Sequence, residues 1–232
     1  MEKVENFNWG PLNDHPDVKN FLEEEVFNSP IYEEVLPVED GDIVVDIGAS
    51  IGLFGYTVKH KNLSKLICVE PSPECTPILL ENLSNSPFEV KLFPGGISDK
   101  YEYKTIHTNP VRLDNQYEGE FECITLQQLC FINNVDKIDF LKTDCEGGEY
   151  DIFNNLNNAL WVKRNVKKVV GEWHLSNPEL KEKFRAFRDN YLNNVFKNFE
   201  VRSIDGVDIK WDLWNEHFIE YYSEVVLHID NR

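Results

Sequence analysis

Five short, largely apolar runs recur along the chain, and they constrain its fold more than any other feature. They are Asp42–Ile47, Lys65–Glu70, Glu89–Phe93, Ile138–Thr143 and Val166–Trp173. Runs of this length and character are expected of strands buried on both faces of a parallel sheet. Between and after them the spacing predicts helices over Gly52–His60, Pro73–Leu83, Leu126–Phe131, Tyr150–Trp161 and Pro178–Phe196. Leu180, Phe184, Phe187, Tyr191 and Leu192 share one face of the last helix. Strands alternating with helices in this order build βαβ units and an α/β fold. Residues 99–124 are polar and irregular, with Tyr101, Tyr103 and Thr105 alternating as in a hairpin. Two final strands, Phe199–Ile204 and Val225–Ile229, lack a long helix between them and predict an antiparallel pair at one sheet edge.

Residues 1–40 precede the regular pattern and read as a helical extension packing on a main domain of residues 41–232. One helix is expected over Pro16–Phe27 with Asp14 as its cap, followed by a loop broken at Pro30 and Pro37. A chain of 232 residues buries enough surface to fold without disulfides or structural metal. Its five cysteines, Cys68, Cys75, Cys123, Cys130 and Cys145, form no C-x-x-C pair and suit a reducing compartment. Met1–Gly10 carries no apolar leader, and no run approaches the roughly 20 apolar residues of a bilayer span. The expectation is a cytoplasmic protein without membrane insertion. The formal net charge of -18, from 41 acidic and 23 basic residues, repels polyanions. That argues against nucleic acid and for a neutral or sugar-like small partner. The one basic cluster, Lys163-Arg164 with Lys167-Lys168, reads as the solvated end of a helix entering a strand.

The first strand ends in Asp46-Ile47-Gly48-Ala49-Ser50-Ile51-Gly52. Glycines at a strand-to-helix turn admit positive φ and let backbone approach a ligand closely. Ligands of open α/β sheets bind beyond the carboxyl ends of the strands, where this turn lies. A dinucleotide fingerprint requires G-x-G-x-x-G, yet Ala49 and Ser50 follow Gly48. The remaining D-x-G-A-x-x-G suits a cationic, phosphate-free ligand, with Asp46 facing its ammonium or a bound water. Glu70 stands 22 residues after Gly48, at the end of the second strand in Glu70-Pro71-Ser72-Pro73. A carboxylate so placed accepts hydrogen bonds from both hydroxyls of a ribose.

Three segments carry a family resemblance: Val44–Gly52, Val69–Pro73, and Phe140-Leu141-Lys142-Thr143-Asp144-Cys145-Glu146-Gly147-Gly148-Glu149. Together they resemble the FkbM family of methyltransferases, and the last is similar to its K-x-D-x-E-G-x-E signature. The family often has T-L-D-x-L upstream, where this chain reads Thr125-Leu126-Gln127-Gln128-Leu129. The resemblance implies S-adenosylmethionine as cofactor and methylation of a hydroxyl on a sugar, glycan or small metabolite. It also implies a Rossmann-like class I methyltransferase fold. That fold has a mostly parallel seven-stranded sheet, an antiparallel C-terminal strand at the edge and helices on both faces. On this reading Asp46, Gly48, Ala49, Ser50, Gly52, Glu70, Pro71 and Ser72 bind the cofactor, and Ile97 and Ser98 lie by its adenine.

At the reacting end, Asp144 and Glu146 stand two apart after the fourth strand, and Glu172 and His174 two apart on the fifth. If the strand ends are neighbours, these groups converge. His174, with a reference pKa of about 6.5, is the expected base. Glu172 orients it or the substrate, and Asp144 serves the cofactor's amino group or the acceptor. The same Asp144, Glu172 and His174 form an O/O/N set able to hold a hard divalent ion, a second and less favoured route. Glu146 and Glu149 read as caps of the next helix, Lys142 as half of a structural ion pair, and Trp211, Trp214, Tyr221 and Tyr222 as packing residues or an acceptor wall. An NAD-linked oxidoreductase or epimerase is the main rival, but the second glycine and any Tyr-x-x-x-Lys pair are missing. A non-catalytic cofactor- or glycan-binding module is the other; it would be indifferent to His174→Ala.

Overall fold

The apolar runs become strands stacked side by side. In the computed structural model, which describes residues 6–28, 31–107, 118–153 and 155–232, they are β1 (Ile43–Ile47), β2 (Lys65–Val69) and β3 (Glu89–Phe93). A two-residue strand β4 (Gly96–Ile97) and the pair β5 (Glu102–Ile106) and β6 (Gly119–Ile124) follow, then β7 (Ile138–Thr143), β8 (Val166–His174), β9 (Phe199–Arg202) and β10 (Glu224–Asp230). The main sheet has seven strands in the order β3-β2-β1-β7-β8-β10-β9, and β4-β6-β5 form a separate small sheet. Strands β3 to β8 of the main sheet run parallel, while β10 lies antiparallel between β8 and β9. The final strand is thus one place in from the edge, which β9 occupies.

Period-two alternation divides the core into two layers, one on each face of the sheet. Val45, Ile47, Ile67, Val69 and Leu141 pack with α4 (Leu126–Ile132), α5 (Glu149–Phe153), α6 (Leu156–Asn165) and α7 (Pro178–Asn190). Val44, Leu66, Cys68 and Phe140 face the other way, onto α2 (Leu53–Thr57) and α3 (Cys75–Leu83). Phe7, Trp9, Leu12, Val26, Tyr32 and Val38 of the N-terminal segment join that second layer. Each such side chain, fully buried, contributes about 1.5–3 kcal/mol of transfer free energy. Among the described residues no helix is long and apolar enough to cross a membrane, and all five cysteines are free.

Several local expectations change. The first helix is α1 (Pro16–Leu22), continued as a wider π-helical turn over Glu23–Asn28. Asp14 closes a preceding 3-10 turn, and His15 stands at the cap position without a side-chain bond. The expected break at Pro30 lies outside the described residues, as does the tip of the β5–β6 hairpin. The stretch Tyr150–Trp161 is two helices, because Asn155 caps α6 through its side chain. The helix from Pro178 stops at Asn190, before a left-handed Asn193. A four-residue α8 (Glu216–Ile219) follows late in the chain. Lys168 is no solvated residue: it is buried and pairs with Asp42 at 2.8 Å. Trp211 and Tyr221 do not pack inside; both are largely exposed, while Leu213 and Ile219 between them are buried.

Gly171 brings β8 hard against β7. It pairs with Thr143, and a Cβ added to it would lie 2.1 Å from the Thr143 hydroxyl and 2.4 Å from its carbonyl oxygen. The backbone atom cannot yield as a flexible side chain can. We expect Gly171→Ala to lose about 1–3 kcal/mol of stability, as overpacked cores do. The measurement is a lower urea midpoint at unchanged slope; a wild-type midpoint would contradict this account of the strand contact.

Candidate active site

The turn after β1 is shaped by three residues with positive φ: Gly48 at 74°, Ser50 at 48° and Gly52 at 87°. The amides of Gly48 and Ala49 both donate to the Val69 carbonyl, at 3.0 and 3.1 Å, tying the turn to the end of β2. On its other side the turn touches β7. A Cβ on Gly48 would sit 1.7 Å from the Asp144 carbonyl oxygen, so only glycine fits there. Ser50, in a conformation uncommon for a residue with a side chain, donates its amide to Glu70 Oε2 at 2.8 Å. The Ser72 amide donates to Glu70 Oε1 at the same distance. Glu70 is therefore held rigidly, and a carboxylate with about four acceptor sites keeps capacity for further donors. Burial pushes its pKa up to about 7, against the pull of the Ser72 and Ser50 amides.

Asp46 lies beneath the turn, fully buried. Its carboxylate has an internal partner: Lys142 Nζ stands 3.3 Å from it. The same amine donates to the Gly48 carbonyl at 3.1 Å and lies 3.5 Å from Asp144 Oδ2. The ion pair expected for Lys142 is present. Burial alone would lower the amine's pKa, but Asp46, Asp144 and Glu172 together raise it. Neither Asp46 oxygen has a well-aligned donor among the described residues. Of the other expected cofactor residues, Pro71 lines a 440 Å³ cavity with Pro73, Pro94 and Tyr103. Ile97 is buried, and Ser98 uses its hydroxyl on Glu102 at 2.5 Å and its amide on the Ile124 carbonyl.

The close β7–β8 contact makes the next residues neighbours, and Asp144, Glu172 and His174 converge. One ligand-type atom from each lies within 4.8 Å of the others. Glu146 and Gly147 both have positive φ, which turns the chain back and buries Glu149 under the imidazole. Glu149 Oε1 accepts from the Cys145 amide and pairs with His174 Nδ1, each at 2.9 Å. Nε2 points the other way, 3.9 Å from Asp144 and 3.6 Å from the exposed Glu146.

This setting bears on the base expected at His174. Burial alone would lower its pKa, but Glu149, Asp144 and Glu146 outweigh burial and raise it to about 10. A raised pKa keeps a proton on the imidazole over a wider pH range. Two further participants come from the N-terminal segment. The Tyr32 hydroxyl donates to Glu172 and lies 3.2 Å from Asp144 Oδ2. Glu25 is raised to about 7 by burial first, then by Asp144 and Glu224. Glu172 is raised to about 9, again by burial and then by Asp144 and Glu25. No sequence motif marks Tyr32 or Glu25, which lie more than a hundred residues from Asp144.

The fold is that of the Rossmann-like methyltransferases. The chain matches the Methyltransferase FkbM domain over residues 46–198, well over half its length, and belongs to that family. Methyltransferase sdnD of Sordaria araneosa is 24% identical over 198 residues, 67% of this chain and 75% of that protein. Hexuronic acid methyltransferase AglP of Haloferax volcanii is 25% identical over 142 residues, 59% of this chain and 57% of that protein. Among solved structures, the fibrillarin pre-rRNA processing protein of Methanococcus jannaschii aligns with a TM-score of 0.51 at 15% identity, over 99% of this chain and 84% of that one. That likeness concerns the fold alone.

The raised groups set a pH dependence. Glu172 and His174 have ordinary values of 4.5 and 6.5 and folded values of about 9 and 10. Their stabilisation is complete below the ordinary values and is lost as pH rises through the folded ones. In EDTA-dialysed protein the urea midpoint should fall from pH 7 to pH 9.5, with a shallower fall in Glu172→Gln. A midpoint that rises over this range would contradict the assignment.

Proposed function

We propose that this protein is an S-adenosylmethionine-dependent O-methyltransferase acting on a hydroxyl of a sugar, a glycan or a small metabolite. The observation that carries the reading is the seat of Gly48 on the Asp144 backbone. It joins a glycine turn suited to a cofactor directly to the strand ends that bear Asp144, Glu172 and His174. The residues fit the cofactor in two respects. Gly48 and Gly52 leave backbone without side chains, and Glu70 presents a fixed carboxylate for ribose hydroxyls. A pyrophosphate fits poorly: the Ser50 amide is already committed to Glu70, and Asp46 adds negative charge below.

When bound, S-adenosylmethionine supplies an electrophilic methyl on a sulfonium. The chain's own residues then have three tasks. Glu70, with the turn from Gly48 through Ala49 and Ser50 to Gly52, holds the nucleoside. Pro71, Ser72, Ile97 and Ser98 border it. At the other end Asp144, Glu172 and His174 surround the acceptor oxygen, and the acceptor's proton leaves toward the carboxylates at the mouth, Asp144 and Glu146. Fixing acceptor and donor in line removes much of the entropic part of the barrier. The Haloferax volcanii relative, a hexuronic acid methyltransferase by name, supports a saccharide acceptor.

Calorimetry should show S-adenosylmethionine binding that strengthens as pH rises through about 7, where Glu70 ionises. Glu70→Ala should weaken it by about 1.5–3 kcal/mol for each hydrogen bond lost. No heat and no thermal shift at millimolar ligand would refute the cofactor reading. His174→Ala should slow methyl transfer to responsive glycans, in a screen with radiolabelled donor, far more than it changes cofactor affinity. Equal turnover in mutant and wild type would remove His174 from the reacting end.

A further inference from the structure

Around the reacting end carboxyl groups outnumber basic ones. Glu25, Asp144, Glu146, Glu149, Glu172 and Glu224 all act on this region, against Lys142 and His174. Lys142 is drawn downward onto Asp46 and the Gly48 carbonyl. Carboxylates crowded in a buried site raise one another's energy unless protons or a cation join them.

The imidazole of His174 indicates where that cation belongs. Its side chain is only 7% exposed, and Nδ1 is fixed from behind by Glu149, itself fully buried. Nε2 is left aimed into the cluster, without a hydrogen bond among the described residues. A carboxylate on one imidazole nitrogen with the other nitrogen presented outward is the arrangement that orients metal-ligating histidines, and a cation bound there displaces the Nε2 proton to solvent. Nearest to Nε2 are the exposed Glu146 at 3.6 Å and Asp144, from the end of β7, at 3.9 Å, and one ligand atom each of Asp144, His174 and Glu172, from β8, lies within 4.8 Å of the others. Two ligands on opposite sides of an ion with bonds of about 2.1 Å stand about 4.2 Å apart. Only one pair can stand opposite; adjacent ligands of such an ion stand about 3 Å apart, so His174 Nε2 and Asp144, 3.9 Å apart, must close by about 1 Å.

We propose that Asp144, Glu172 and His174 form a binding site for one divalent cation of the Mg²⁺ or Mn²⁺ class, with Glu149 as the positioning residue behind His174. The mixed oxygen and nitrogen set suits Mn²⁺, and protein ligands from only two strand ends leave coordination positions for solvent or an acceptor oxygen. The inference rests on the reading of this region as the reacting end. There a cation would lower the pKa of an acceptor hydroxyl bound to it.

The test uses the full chain, stripped with EDTA and titrated with Mn²⁺ in 0.15 M KCl, with free Mn²⁺ read by electron paramagnetic resonance. One site per chain is expected. Glu172→Gln and Asp144→Asn should each weaken it at least about tenfold, and Glu149→Gln about 10–100-fold, while the surface variant Glu179→Gln leaves it unchanged. Pulsed resonance on the wild-type complex should show a ¹⁴N coupling from imidazole, which keeps the test decisive if a variant fails to fold. Absence of a saturable site, absence of the nitrogen coupling, or equal weakening by Glu172→Gln and Glu179→Gln would each overturn the site. Cofactor calorimetry in EDTA separates the two readings. S-Adenosylmethionine binding without Mn²⁺ binding sinks only the cation site, and the reverse sinks only the cofactor.

Discussion

The amine of Lys142 is the contact on which the rest of the site depends. It rises from the middle of the sheet and touches three elements at once: Asp46 at the end of β1, the Gly48 carbonyl in the turn, and Asp144 at the end of β7. Removing one member of a buried pair of this kind typically costs 3–5 kcal/mol, because the partner charge is left unsolvated. An apolar pair of equal volume would hold the strands together as well. It would not hold the Gly48 carbonyl and the Asp144 carboxylate in fixed relation. The ion pair thus explains register at the site better than it explains stability.

Two glycines let that relation exist. Gly48 permits the turn to rest on the Asp144 backbone, and Gly171 permits β8 to close on Thr143. In both places a methyl group would strike backbone, which cannot move aside without shifting a strand. A turn from one strand and functional groups from two others are thereby compressed into one site. The bend at Glu146 and Gly147 adds a third such device, returning Glu149 to His174.

The sheet was legible in the sequence because its signal is local. Continuous apolar runs announced β1, β2, β7 and β8 to within a residue or two, and the motif spacing alone marked Gly48, Glu70 and Asp144. Boundaries set by single side chains were harder to read. Asn155 splits one expected helix by capping α6, and a left-handed Asn193 follows the early end of another. Tyr32 and Glu25 were illegible for a different reason. They reach the site only through tertiary packing of the N-terminal segment over Phe54 and its neighbours, and no periodicity in their own neighbourhood encodes that contact. The surroundings of His174 were hard to read on the same ground: an isolated histidine suggests a group near neutrality, but Glu149 beside it raises its pKa.

That change of protonation bears on how a site so acidic folds at all. Glu25, Glu70 and Glu172 are each driven upward chiefly by burial, so the ligand-free protein carries less negative charge there than its sequence implies. Protons occupy places where charged ligands would do better electrostatic work. Binding a cationic partner would release some of them, and affinity and proton release would then be linked. Residues that destabilise the empty protein at high pH are therefore the ones with most to gain from a ligand. This is the expected signature of a region shaped for chemistry, because packing alone favours an apolar filling.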